Sequence, residues 1–249
     1  MSVVLVDHDD TKNQNALSLN ADIRIVWGGA EAVEIISNLK KRFFCEDIIY
    51  GPKYSYAFVD AASLAKNSAD IARRFAFDIS TFDQYACSSP HTIFVEQNTE
   101  FAPIKFAELL AGELDKVNRL MIPKQGTDAG KAMDILNLRT EYAMRGKIFA
   151  SKNADWTVIY SEERGFAQPC FSRVIFVRPM NELKSLNSRH QQTVGLAMEN
   201  NSQRTEFVDN LTLFGVDRCP KVGSMTLFDS PWDGMFAIDR MVRWVVTWK

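Results

Sequence analysis

The sequence predicts an α/β fold, because short runs rich in β-branched residues alternate with longer stretches in which apolar residues recur at helical spacing. Of the 249 residues, 46% are hydrophobic and 24% are charged, which is the composition of a globular protein with a buried core. We find no internal repeat and no low-complexity tract that interrupts the alternation. The length allows one large domain or two modest ones.

The first part of the chain predicts a βα unit. Residues 2–6 and 23–27 are short β-branched runs typical of buried parallel strands. The second run is followed by Gly28 and Gly29 and then by a helical segment, residues 31–42. Strand, glycine turn and helix in this order are typical of a doubly wound sheet, of which two strands are only a part.

The middle of the chain predicts a strand, a long helix and a second strand. Residues 56–59 are predicted to form the first strand, and Asp60 then caps a helix. The helix is amphipathic, because its apolar residues fall on one face: Leu64, Ile71, Phe75, Ile79 and Phe82. It leads into Cys87, which therefore lies at a junction between a helix and the strand at residues 92–96.

The same alternation continues to the end of the chain. Further strands are predicted at residues 156–160, 174–177 and 193–198, and helices at residues 104–121, 131–145, 181–186 and 206–214. Pro231 and Gly234 bracket a turn before a last amphipathic segment, residues 235–249.

Charge and cysteine usage exclude several classes of function. The net charge of −2 and the pI near 6.0 lack the basic footprint of a nucleic-acid-binding protein. The first ten residues carry acids rather than the basic and apolar regions of a secretory signal, and no run of apolar residues is long enough to span a membrane. We therefore expect a cytoplasmic protein with reduced cysteines, and the Cys and His spacings predict no metal site.

Cys87 is the candidate nucleophile. A thiol at a helix-to-strand junction can meet a substrate while its neighbours stay packed, provided that a base or a lowered pKa makes it reactive. His91 is a candidate base, although a histidine that leads into a strand is more often a structural residue. The alternative interpretation of a lone cysteine is a small buried hydrophobe, and we prefer it for the other three: Cys45, Cys170 and Cys219.

The residues around Cys87 resemble a known family. DQYAC at residues 83–87, followed by PHTIFV at residues 90–95, is similar to the catalytic-cysteine region of the aldehyde dehydrogenase superfamily. Its Gln-x-x-Cys spacing followed by Ser-Ser-Pro resembles the long-chain fatty acyl-CoA reductases of bacterial bioluminescence. Five other segments resemble the family in the same order: VWGGAE at 26–31, GPKYS at 51–55, RVIFVRP at 173–179, QTVGL at 192–196 and DSPWDG at 229–234.

The resemblance implies an aldehyde dehydrogenase-like catalytic domain at residues 49–228 with Cys87 as its nucleophile. It implies an incomplete doubly wound cofactor-binding portion at residues 1–48, where Gly28, Gly29 and Ala30 contact the cofactor, and a packing or oligomerisation segment at residues 229–249. The implied reaction is the NADPH-dependent reduction of long-chain fatty acyl-CoA to fatty aldehyde. Implied partners are acyl-protein synthetase and acyl-transferase subunits and further copies of the chain in a homo-oligomer.

The chain differs from the family pattern in two ways that affect its expected function. The glutamate that activates water in hydrolytic aldehyde dehydrogenases is replaced here, because Ile49 or Tyr50 stands at its position. We also expect this chain to be the C-terminal part of a reductase, because a cofactor domain of this class needs more βα units than it supplies.

Two other functions stay open at this point. The chain is alternatively a non-catalytic remnant that serves as an interaction subunit, or a cysteine acyltransferase or thioesterase without hydride chemistry.

Overall fold

The computed structural model describes residues 2–97, 102–180 and 190–248, and it divides the chain into two compact units. One unit comprises Met1–Pro52 together with Asp229–Lys249, and the other comprises Lys53–Phe228. Parallel strands and helices form both units, which confirms the predicted α/β class. Within the described residues, every helix falls short of the length or the hydropathy that a membrane span needs.

The first unit is built on a βαβ motif. Helix α1 (Thr11–Asn20) precedes strand β1 (Ile23–Trp27), helix α2 (Ala30–Asn38) and strand β2 (Glu46–Tyr50). The two strands pair in parallel, from Ile23 opposite Glu46 to Trp27 opposite Tyr50. A short helix, Ala237–Met241, also belongs to this unit.

A buried ion pair connects the elements of the first unit. The Arg24 guanidinium on β1 donates to both carboxylate oxygens of Asp47 on β2, at 2.6 and 2.7 Å. It also donates to Ser18 Oγ on α1 at 2.8 Å and to the carbonyl of Ile36 on α2 at 3.0 Å. The hydrogen bonds from Arg24 lower the pKa of Asp47 to about 2, so the pair stays charged at neutral pH. One buried guanidinium thus connects helix α1 with the three elements of the βαβ motif.

The second unit is a six-stranded sheet covered on both faces by helices. Its elements are β3 (Tyr54–Val59), α3 (Ala61–Ser80), β4 (Thr92–Glu96), α4 (Pro103–Leu120), α5 (Ala129–Ala143), β5 (Lys147–Ala150), β6 (Thr157–Tyr160), β7 (Val174–Met180), β8 (Gln191–Ala197) and α6 (Asn201–Leu213). The strand order is β5-β6-β7-β4-β3-β8, and all neighbours are parallel except β5 and β6.

Side chains that alternate along β3 pack into different apolar cores on the two faces of the sheet. Ala57 and Val59 of β3 pack with α3 and α4 on one face, where the Phe75 and Phe106 rings meet edge to face at 5.9 Å. Phe58 of β3 packs on the other face, where its ring stacks on Phe207 of α6 at 4.7 Å. Because strand side chains point alternately to the two faces, these almost wholly apolar strands are those of a sheet buried on both sides.

Most predicted elements of the second unit are confirmed, with ends that differ from the predicted ones by at most five residues. Strand β4 has the predicted bounds, and the Asp60 carboxylate caps α3 by accepting the N–H of Ser63 at 2.6 Å. The predicted helix at residues 181–186 lies outside the described residues. Three elements were not predicted: α1, β2 and β5.

One prediction for the first unit was wrong. Residues 2–6 form no strand, and the side chains of Val3 and Leu5 are more than 90% exposed, because no strand among the described residues pairs with them. Within the predicted amphipathic segment, the described residues 235–248 form a short helix at Ala237–Met241. The following residues include Val245 and Val246, whose β-branched side chains disfavour a helix and are exposed here.

Candidate active site

Cys87 lies at the amino-terminal edge of the parallel sheet in the second unit. It belongs to the turn that connects the 3₁₀ segment Thr81–Gln84, after α3, to strand β4. Ser55 on β3 and Gln192 on β8 lie at the same edge, because β4, β3 and β8 are adjacent and parallel. Ligands of open α/β sheets usually bind at the carboxyl ends of the strands, so this site uses the opposite edge.

Hydrogen bonds from two neighbouring strands hold Cys87. The Ser55 hydroxyl donates to the backbone carbonyl of Cys87 at 2.6 Å, and Ser55 Oγ accepts the backbone N–H of Thr193 at 3.3 Å. Gln192 Nε2 donates to Cys87 Sγ at 3.4 Å. Ser55, Gln192 and Thr193 are buried, whereas Cys87 is partly exposed. The thiol is therefore held by buried residues while Cys87 itself stays partly exposed to solvent.

His91, the candidate base, is buried against the ring of Phe171 at 5.0 Å. Burial lowers its pKa to about 4, so the imidazole is neutral at pH 7. A general base works best when its pKa is close to the working pH, and a side chain with this pKa is a weak proton acceptor. Its backbone joins the sheet, because the His91 N–H donates to the carbonyl of Ser55 at 3.1 Å. These features favour a structural role for His91.

The segment before Cys87 runs through a left-handed turn that packs against a second one. Phe82, Asp83 and Gln84 have φ between 49° and 68°, and residues 171–173 have φ between 57° and 62°. The turns meet where the Ser172 N–H donates to the Asp83 carbonyl at 2.9 Å. Each left-handed residue other than glycine costs about 1 kcal/mol, so tertiary contacts must hold these turns.

A buried guanidinium supplies much of that stabilisation. Arg173 is 1% exposed; its Nε donates to Asp83 Oδ1 at 2.6 Å and its Nη1 to Asn118 Oδ1 and to the Ile122 carbonyl, both at 2.9 Å. Gln84 Nε2 donates to the carbonyl of Pro90 at 2.7 Å, which closes the Cys87 turn from within. Arg173 and Gln84 thus fix both ends of the segment that carries the thiol.

The candidate cofactor-binding residues lie in the first unit, at the turn between β1 and α2. Gly29 is the N-cap of α2, and no side chain caps the helix. A Cβ at Gly29 would meet no atom within 4 Å, so the turn is open on the side where a side chain of residue 29 would lie. Exposed helix N-termini bind anionic groups, and backbone N–H groups at Gly29 and Ala30 fit the phosphates of a dinucleotide. Glu31 in the same turn adds a negative charge, so the fit rests on the backbone.

Gly28 serves the packing of the same turn. Its N–H donates to the carbonyl of Tyr50 at 3.3 Å, and a Cβ at this position would lie 3.1 Å from the Cβ of Ala32. Gly28 therefore lets α2 approach the strand end closely.

The remaining cysteines have the features of unreactive thiols. Cys45 is buried, and burial raises the pKa of Cys170 and, to about 11, that of Cys219. Among the described residues, no group of three or more His, Cys, Asp or Glu side chains is placed to hold a metal ion.

The architecture defines an aldehyde dehydrogenase-like protein. An aldehyde dehydrogenase from Burkholderia multivorans superposes with a TM-score of 0.63 at 12% identity over 92% of this chain and 45% of that chain. Aldehyde dehydrogenase 21 from Physcomitrella patens superposes with a TM-score of 0.63 at 12% identity over 87% of this chain and 48% of that chain. At these identities the likeness shows the fold alone.

The chain belongs to the acyl-CoA reductase (LuxC) family, whose model matches residues 1–244. A curated relative, the long-chain acyl-protein thioester reductase of Aliivibrio fischeri, is 24% identical over 253 residues, which cover 98% of this chain and 51% of the relative. The chain thus spans about half the length of this relative. The family predicted from the residues around Cys87 is confirmed.

Proposed function

We propose that this chain takes part in the reduction of long-chain fatty acyl thioesters to fatty aldehydes through an acyl-enzyme on Cys87. One observation carries the proposal: in a chain of the acyl-CoA reductase family, Cys87 is a partly exposed thiol whose sulfur accepts a hydrogen bond from buried Gln192. A reactive cysteine needs exposure together with a polar environment that supports the thiolate, and Cys87 has both.

The first step is acyl transfer. The Cys87 thiolate attacks the carbonyl carbon of an acyl-CoA, a new C–S bond forms, and the bond to the CoA sulfur breaks. CoA leaves as a thiolate and takes up a proton. The backbone N–H of Cys87 is our candidate donor to the oxyanion that forms on the carbonyl oxygen.

The second step is reduction of the enzyme thioester. NADPH supplies a hydride to the acyl carbon when it is bound. The carbonyl oxygen takes a proton to give a thiohemiacetal. The thiohemiacetal then gives that hydroxyl proton up to solvent as its bond to Cys87 Sγ breaks, which releases the aldehyde and restores the thiolate. Ile49 and Tyr50 both lie on β2 and neither can act as a carboxylate base, so hydrolysis competes poorly with reduction.

The roles of the chain's parts follow from this proposal. Residues 49–228 form the catalytic domain, residues 1–48 contribute Gly28, Gly29 and Ala30 to the cofactor site, and residues 229–249 pack or oligomerise. The acyl group arrives on CoA or on a partner such as an acyl-protein synthetase, since the A. fischeri relative is named for an acyl-protein thioester. Acyl-transferase subunits and further copies of the chain are the other proposed partners, and the proposed location is cytoplasmic.

The fate of the acyl group tests the proposal. The purified chain is incubated with tetradecanoyl-CoA, and the adduct is located by intact-mass and peptide analysis; NADPH is added in a second step. We expect an adduct on the peptide that contains Cys87 and its discharge as tetradecanal. Release of tetradecanoic acid would support a thioesterase instead. An adduct that NADPH leaves unchanged would mean an acyltransferase or a chain without hydride chemistry, and the absence of an adduct would support the non-catalytic remnant.

A substitution at Gly29 tests the cofactor site. Aspartate at this N-cap is expected to stabilise α2 by roughly a few tenths of a kcal/mol, because its carboxylate accepts the orphan N–H groups of the first turn. The same carboxylate competes with a phosphate for those groups, so the Kd for NADPH is expected to rise about tenfold. Gly29→Asn is the matched control, since asparagine caps equally well without a charge and should weaken binding less. Equal Kd values in Gly29→Asp and the unsubstituted chain would exclude this turn as the phosphate site.

A further inference from the structure

Gln192 donates an amide N–H to the Cys87 sulfur, although it lies 105 residues away in sequence. It occupies the second position of β8 and is fully buried. We infer that Gln192 is a positioning residue for the proposed reaction: with Thr193 and Arg218 it holds one amide N–H against the sulfur and thereby favours the reactive thiolate. This inference rests on the proposed role of Cys87 as the nucleophile.

The hydrogen-bond partners decide which way the Gln192 amide faces. Arg218 Nη1 lies 3.2 Å from Thr193 Oγ1, and because a guanidinium can only donate, the hydroxyl oxygen must accept from it. The Thr193 hydroxyl proton is then directed to its other partner, Gln192 Oε1, at 3.4 Å. An amide whose oxygen accepts on this side must present its NH₂ group on the other, where Nε2 lies 3.4 Å from Cys87 Sγ. Arg218, which can only donate, thus orients the Thr193 hydroxyl, and the hydroxyl in turn orients the Gln192 amide so that its NH₂ group faces the sulfur.

The far end of this relay is anchored to the loop after α6. Arg218 also donates to the backbone carbonyls of Met225 and Leu227, at 3.3 and 2.8 Å. The Met225 N–H in turn donates to the buried Asp78 carboxylate on α3 at 3.1 Å. The Arg218 guanidinium is therefore held from several sides. We expect it to stay in place when the Thr193 hydroxyl is removed.

The orientation of the Gln192 amide matters because its NH₂ group and its oxygen have opposite effects on a thiolate. An N–H donor stabilises a thiolate more than a thiol, since hydrogen bonds to charged acceptors are the stronger ones. A reversed amide would place Oε1 against Sγ and disfavour the thiolate. Loss of such a charge-assisted hydrogen bond is expected to lower the fraction of Cys87 that is present as thiolate by roughly tenfold.

Alkylation of Cys87 by iodoacetamide at neutral pH tests the inference. The rate is followed by peptide mass analysis, with Cys170 in the same sample as an internal thiol control and the thermal unfolding midpoint measured for every variant. Gln192→Glu keeps the shape of the side chain but removes the donor, and we expect its Cys87 rate to fall by at least about tenfold. An unchanged rate in Gln192→Glu would overturn the inference.

Two substitutions at Thr193 show whether this residue acts through its hydroxyl or through its packing. Thr193→Val keeps the shape and removes the hydroxyl, whereas Thr193→Ser keeps the hydroxyl and removes a methyl group. The relay predicts slow Cys87 alkylation in the valine variant and nearly normal alkylation in the serine variant. The reverse order, or equal rates, would mean that Thr193 acts through packing and would overturn the relay.

The two proposals fail in different assays. If tetradecanoyl-CoA leaves no adduct while Gln192→Glu still slows alkylation, the proposed function fails and the role of Gln192 in thiol reactivity stands. If the adduct forms and Gln192→Glu alkylates normally, the function stands and this inference fails.

Discussion

The Cys87→Ala variant is expected to lose acyl transfer from tetradecanoyl-CoA by at least about a thousandfold, because no other atom of the turn can form the thioester. The variant is expected to stay folded, because the Ser55 hydroxyl bonds to the backbone carbonyl of residue 87 and not to its side chain. Loss of the hydrogen bond from buried Gln192 to the sulfur is expected to cost about 1 kcal/mol of stability. Time-resolved intact-mass analysis of the chain measures the rate, and the thermal unfolding midpoint shows whether the variant is folded.

Cys170→Ala is the matched control. Cys170 is also a partly exposed thiol, but burial raises its pKa, so it is mostly protonated at neutral pH. Its removal is expected to change the rate less than twofold. An adduct that forms on Cys87→Ala at the original rate would refute the assignment, and an adduct lost only in Cys170→Ala would transfer the role to that residue.

The Arg173→Leu substitution is expected to lower the free energy of unfolding by about 3 kcal/mol or more. Leucine fills part of the space but leaves Asp83, Asn118 and the Ile122 carbonyl without their buried donor. It also releases the contact that holds the left-handed turn at Phe82, Asp83 and Gln84. Urea denaturation measures the loss, and acylation of Cys87 in the folded fraction is expected to slow as well.

Arg119→Leu is the control for this substitution. Arg119 pairs with Asp115 at 2.8 Å one helical turn away, with both side chains more than 40% exposed. Exposed pairs of this kind contribute little, so its stability should change by less than about 1 kcal/mol. If both variants unfold at the same urea concentration, the buried Arg173 ion pair is not what holds the Cys87 segment.

Local pattern was a good guide wherever a short stretch of chain specifies its own structure. Asp60 caps α3 because a carboxylate can reach the N–H three residues on, a relation visible in the sequence. Strand β4 was predicted at its observed bounds because it is an apolar run on a sheet buried on both faces. Cys87 was found from its neighbours in the chain, which resemble those of a known family.

Strands without their own pattern were missed, and one pattern was misleading. Strand β2 begins with Glu46 and Asp47, and the Asp47 carboxylate is paired with Arg24 on β1 and with Lys41. Residues 2–6 have the composition of a strand, yet a strand exists only where a neighbour accepts and donates its backbone hydrogen bonds.

The sequence alone was therefore enough to predict the α/β class, the family and the candidate nucleophile. Periodicity, capping and motif spacing are relations between residues that lie close together in the chain. The surroundings of the thiol were not. Gln192 meets Cys87 from 105 residues away, and Arg173 meets Asp83 from 90 residues away. Strand order and loop closure bring these side chains together, and hydrogen bonds act over a few ångströms of space whatever the distance along the chain. Which groups surround the sulfur, and which way the Gln192 amide faces it, was decided only by the folded chain.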